Sequence, residues 1–97
     1  MNEKELAILR RAIQQFGNEA QMIVAIEELS EVTKEICKVF RGKGNKSAIA
    51  EELADAQIML TQLVMIFDCG EETVDWITRK LSRLEDRIKG YNVAKTP

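Results

Sequence analysis

Residues 27–55 read EELSEVTKEICKVFRGKGNKSAIAEELAD, and their spacing predicts two helices joined by a short loop. Residues 41–46, RGKGNK, carry two glycines and an asparagine, which favour turns over helix. On either side, apolar residues recur at helical intervals. Met22, Ile26, Leu29, Ile36 and Phe40 form one stripe of a helix from about Glu19 to Phe40. Ile49, Leu53, Ala56, Leu60, Leu63 and Phe67 form one stripe of a helix from near Ser47 to about Phe67. Ala54, Ile58 and Met65 form a second stripe on nearly the opposite side of that helix. The short loop makes the pair an antiparallel hairpin. A helix that is apolar on two sides needs partners on both, so a second subunit is expected.

Two further helices flank the hairpin. One runs from about Glu3 to Phe16, with Leu6, Leu9, Ile13 and Phe16 on one face and Gly17 and Asn18 ending it. The other starts after Gly70 and reaches about Ile88, where Gly90 closes it and residues 91–97 follow as a loose tail. Its residues Val74, Ile77, Leu81, Leu84 and Ile88 repeat at three and four, the spacing of a coiled-coil seam. The sole proline is Pro97, so nothing within the body interrupts helix. The expectation is an all-α, oligomeric four-helix bundle in a single domain over residues 1–97.

Composition narrows the chemistry. The chain has 97 residues, 31% of them charged, and a formal net charge of -2, which gives no footprint for nucleic acid. It has no apolar run of membrane-spanning length and no signal-peptide core, so a cytoplasmic protein off the membrane is expected. Cys37 and Cys69 lack metal-type spacing and read as reduced, buried thiols. There is no histidine, which removes His-based acid–base catalysis and the Glu-x-x-His unit of di-iron bundles. Any metal work falls to carboxylates.

Two acid–x–x–acid units stand out, Glu28/Glu31 and Glu52/Asp55. Each pair shares a helix face, where like charges repel by about a few tenths of a kcal/mol unless a cation lies between them. Glu52 falls within the apolar stripe near Ala56, Met59 and Leu63, and Glu28 falls beside Val32. A carboxylate there is costly unless it is paired or bound to metal. Glu27 and Glu51 point outward. The hairpin brings both pairs to similar depth, and a set of hard oxygen donors suits Mg2+ or Mn2+.

EELSE followed by EELAD resembles the E-x-x-E … E-x-x-D signature of the MazG-like all-α nucleoside triphosphate pyrophosphohydrolases, with 20 residues between the halves. The likeness extends through FGNEAQMIVAIEELSEVTKEICKVFRG and KLSRLEDRI, covering roughly residues 16 to 88. It is to the short stand-alone members of bacteria and phages. The resemblance implies a helical bundle that assembles as a homodimer or homotetramer. It implies Mg2+ held by Glu28, Glu31, Glu52 and Asp55, and cleavage of a nucleoside triphosphate to the monophosphate and pyrophosphate. It also suggests phosphate contacts from Lys80 and Arg83, although Leu84 stands where some relatives carry a second arginine.

Other residues are open to two readings. Gln21, about two turns before the acids, can contact a base. Trp76 and Tyr91 can stack on one, or Trp76 can pack at a helix interface. Glu35 continues the Glu28/Glu31 row and can orient a water or stand as an exposed acid. Lys38, Arg41, Lys43 and Lys46 can neutralise triphosphate charge or solvate the hairpin tip. Two alternatives to the hydrolase stand beside it: a helical dimerisation or interaction module without enzymatic activity, and a degenerate member that binds nucleotides without turnover.

Overall fold

The structure is a computed structural model that describes the backbone of residues 1–95 and the side chains of residues 1–90. It contains four helices: α1 (Glu3–Phe16), α2 (Asn18–Phe40), α3 (Lys46–Phe67) and α4 (Gly70–Lys95). The first three match the boundaries expected from periodicity to within about two residues. The fourth does not end at Gly90. It continues to Lys95, because one glycine lowers helix propensity by only about 1 kcal/mol and a break needs a competing turn. Residues 96 and 97 lie outside the described residues, as does the side chain of Tyr91.

Local chemistry sets the helix ends. Asn2 caps α1: its Oδ1 accepts from the Glu5 amide at 2.8 Å, and Glu5 Oε1 accepts from the Asn2 amide at 2.9 Å. Asn45 caps α3 by accepting from the Ala48 amide at 3.0 Å. At the hairpin tip, Gly42 takes φ +73°, and the Lys43 amide donates to the Lys38 carbonyl at 2.8 Å. Between α1 and α2, Gly17 adopts φ 91° and ψ 156°, a region that is essentially glycine-only.

The α2–α3 hairpin forms the most extensive helix pair, and α1 packs across both of its helices. Among the described residues, α4 meets α3 alone. Among the described residues the buried apolar side chains are Leu9, Ala25, Ala56 and Met59. The stripe of α2 that faces α3 carries Gln21, Ala25, Glu28, Val32 and Glu35. The stripe singled out from sequence lies outward instead, with Ile26 66% and Phe40 87% exposed. Periodicity identified that stripe correctly; which stripe meets α3 was settled by the pairing of the helices. Two further expectations are corrected: Cys37 is exposed and Cys69 half-buried, and Trp76 is 47% exposed rather than packed at an interface within the chain.

The chain is more open than a compact monomer. Its radius of gyration is 17.5 Å, against about 12.5 Å for a compact chain of this length. Its accessible surface is 7851 Å², about 2,200 Å² more than the roughly 5,600 Å² expected of a monomer this size. No described helix is long and apolar enough to cross a membrane.

Gly17→Ala tests the α1–α2 link. No atom lies within 4 Å of the added methyl, so the cost is conformational alone. Chemical denaturation is expected to show a loss of about 1–3 kcal/mol, with the helical content retained.

Candidate metal centre

Helices α2 and α3 face each other through stripes that are partly polar. Residues seven apart lie close to one line of a helix, which places Gln21, Glu28 and Glu35 together on α2, and Asp55 and Gln62 together on α3. Glu28, Glu52 and Asp55, all half-buried, each bring a carboxylate oxygen within 4.8 Å of the other two. Glu27 and Glu51 are exposed, as their positions on the helices predict.

Three of the four expected ligands therefore converge. The fourth, Glu31, lies one turn along α2, where its Oε1 accepts from Lys34 Nζ at 3.0 Å. Its charge still reaches both Glu28 and Glu52. Burial pushes the Glu28 carboxyl above its ordinary value, and the Asp55 charge, a hydrogen bond with Asp55, and then Glu52 and Glu31 push the same way. Glu52 is raised by burial first, then by the charges of Asp55, Glu31, Glu51 and Glu35. Among the described residues, no cation pairs with these three acids.

One atom makes the cluster more than a group of neighbouring acids. Glu52 Oε2 is buried and has no hydrogen-bond partner. An ionised carboxylate oxygen in that state is costly, and a cation bound between the helices would satisfy it. The donor set fits magnesium or manganese in kind, being carboxylate oxygens alone.

The remaining expected residues are placed elsewhere. Gln21 is buried between the helices, and its Nε2 donates to Gln62 Oε1 at 2.7 Å. Lys80 and Arg83 are exposed on α4 and line a shallow cleft with Leu84 and Arg87. Among the described residues α4 makes no contact with α2, so these two do not join the acids within one chain. The Arg79 guanidinium stands 5.2 Å, and the Lys80 ammonium 5.9 Å, from the Trp76 ring centre. Glu35 is not the exposed acid expected of it. It is buried and accepts from Lys38 Nζ at 3.0 Å, so Lys38 is tied to the acid row rather than only solvating the loop. Gln62 was not anticipated. Its signal was its place seven residues after Asp55, on the same line of the helix.

Comparison with known proteins finds no family model, no curated protein and no solved structure that matches the chain.

The raised carboxyls make stability pH-dependent. Folding takes up protons where the folded-state pKa is raised, so this contribution is present below the ordinary carboxyl range and is lost as pH rises through the raised values. In chelator, Tm is expected to fall over that window, and Glu52→Gln is expected to flatten the fall and raise Tm at pH 7. Adding millimolar magnesium at pH 7 is expected to raise the Tm of the unaltered chain and leave that of Glu52→Gln unmoved.

Gln21→Ala separates a packing role from a ligand role. It leaves Gln62, 2% exposed, without its partner, and denaturation is expected to register about 1–3 kcal/mol. Magnesium affinity by calorimetry is expected to stay unchanged.

Proposed function

We propose that the chain is a magnesium-dependent nucleoside triphosphate pyrophosphohydrolase that releases the monophosphate and pyrophosphate. The observation that carries this reading is the unpartnered Glu52 Oε2 within the convergence of Glu28, Glu52 and Asp55. The likeness of the acid pairs and their flanking helices to the MazG-like signature supplies the reaction class.

In this reading Glu28, Glu52 and Asp55 hold the ion, and Glu31 joins them by releasing Lys34, which a surface ion pair permits at little cost. Magnesium bound there supplies charge to offset the phosphates and makes water a better nucleophile. The helices do the rest. Ala56 and Met59 are buried along the same stripe as Glu52, so the inward acids sit against a wall that limits their motion. Lys38 neutralises Glu35, which keeps that carboxylate from adding repulsion toward an incoming triphosphate. Lys80 and Arg83 contact phosphate in this reading only if an α4 from another copy carries them to the acids. The chain accordingly works as a homodimer or homotetramer, in control of the nucleotide pool.

The exposed seam of α4 favours the other reading, a helical interaction module, since Val74, Leu81 and Ile88 are each more than half exposed. The two part company on turnover. A screen of ordinary and modified nucleoside triphosphates with magnesium is expected to release pyrophosphate, not orthophosphate, from at least one substrate. Glu52→Gln is expected to lower that rate by orders of magnitude, because it removes an anionic ligand of the ion. Glu51→Gln, one residue away and facing solvent, is expected to retain it. Equal loss in both would refute the inward assignment, and no turnover with any substrate would leave the interaction module as the better account.

A further inference from the structure

Two cations of α2 stand at the edge of the acid cluster. Lys34 Nζ donates to Glu31 Oε1, and Lys38 Nζ to Glu35 Oε1, each at 3.0 Å. By the turn of the helix Glu31, Lys34 and Lys38 fall within about 60° of one another, and Glu31 lies about 60° round from the inward Glu28. On α3 the same turn leads from Glu52 to Asp55. Antiparallel helices turn in opposite senses when seen from one end, so equal turns from the inward positions lead to one flank of the hairpin. Glu31, Asp55 and both lysines therefore share a flank, on the side away from Leu29, Ile36 and Leu53.

The two ion pairs differ in setting. That of Lys34 is open to solvent, its side chains 66% and 43% exposed, so it is held weakly and opens at little cost. That of Lys38 rests on a carboxylate side chain only 11% exposed, while the lysine side chain remains 45% exposed. The buried carboxylate anchors the ammonium at the flank. An ammonium has three donors, so the bond to Glu35 leaves two for another acceptor. The charges of Glu31 and Glu35 both reach Glu52, which puts each pair within electrostatic range of the cluster.

We infer that Lys34 and Lys38 form the phosphate-binding side of the site, with Lys34 passing from Glu31 to the substrate and Lys38 held toward it by Glu35. This rests on the magnesium-dependent reading above and deepens it. Charge selects these residues. Glu28, Glu31, Glu52 and Asp55 together carry more negative charge than one divalent ion offsets, so a polyphosphate is repelled unless the chain adds cations. Lys80 and Arg83 on α4 do not reach the acids within one chain, whereas Lys34 is already bonded to an expected ligand of the ion. When Glu31 turns inward as a ligand, the Lys34 ammonium is left at the flank without an acceptor, and a phosphate oxygen takes the place of the carboxylate oxygen. Glu35 acts through Lys38 and is a positioning residue, which gives its burial a purpose.

The probes are magnesium alone and inorganic pyrophosphate with magnesium, each measured by calorimetry on the full chain. Lys34→Met is expected to bind magnesium alone severalfold more tightly, because Glu31 loses a competing partner. It is expected to bind pyrophosphate about tenfold more weakly, because a charge-assisted bond is lost. A merely structural role for Lys34 would not move the two affinities in opposite directions. Lys34→Arg is expected to keep most of the pyrophosphate affinity. Lys38→Met is expected to weaken pyrophosphate binding likewise; should it fail to fold with Glu35 left buried and unpaired, the two Lys34 variants still decide. Lys89→Met breaks a pair of the same kind on α4 and is expected to change neither affinity. Pyrophosphate bound equally by Lys34→Met and the unaltered chain would overturn the inference and leave the hydrolase reading standing. An unaltered chain that binds magnesium but no pyrophosphate would overturn it and leave the metal centre standing. An unaltered chain that binds no magnesium would overturn both.

Discussion

Helices α2 and α3 meet through stripes that bring carboxylates and amides inward together with small apolar residues. Ala25 and Ala56 let the backbones approach, Gln21 and Gln62 bond to one another, and Glu28, Glu52 and Asp55 are left facing each other. A contact of this kind is not the arrangement that gives a helix pair most stability. Leucines at the acid positions would pack without the burial cost and the repulsion that together raise the Glu28 and Glu52 carboxyls. A cation between the helices could return the stability withheld there.

The rest of the architecture follows from that choice. With the acid stripes turned inward, the more apolar stripes of both helices are displaced by about 100° to the outside. Helix α1 adds Leu9 to the interior, while α4 projects beyond it. The exposed apolar surface is therefore the counterpart of the buried acids. A chain of 97 residues that devotes its best interior contact to carboxylates lacks the side chains to close its other faces. The proposed metal site and the outward apolar stripes are two results of one placement of the helices.

Much of this was legible in the residues. Gly17, the 41–46 loop and the turn before Gly70 divide the chain into its helices, because Gly17, Gly42 and Asn45 favour non-helical backbone and Asp68 ends α3 in a left-handed conformation. The inward placement of Glu52 followed from the turn of the helix, as did the outward placement of Glu27 and Glu51. Glu35 and Gln62 were equally derivable, since each lies two turns from an inward acid, but an isolated Glu or Gln on a helix gives no reason to prefer burial over solvent. Gly90 was misleading because glycine marks a helix end only when a turn competes for it.

The sequence by itself determined the four-helix composition, the hairpin and the two acid pairs, because helical periodicity and turn chemistry are local and act through neighbours along the chain. Only the tertiary structure decided which stripe of α2 meets α3, that Glu31 turns to Lys34 while Glu28, Glu52 and Asp55 converge, and that Lys80 and Arg83 stand apart from them. A helix with two usable faces has two ways to pack of similar local energy. The choice between them is made by contacts between residues tens of positions apart, such as the bond from Gln21 to Gln62, which no local pattern encodes.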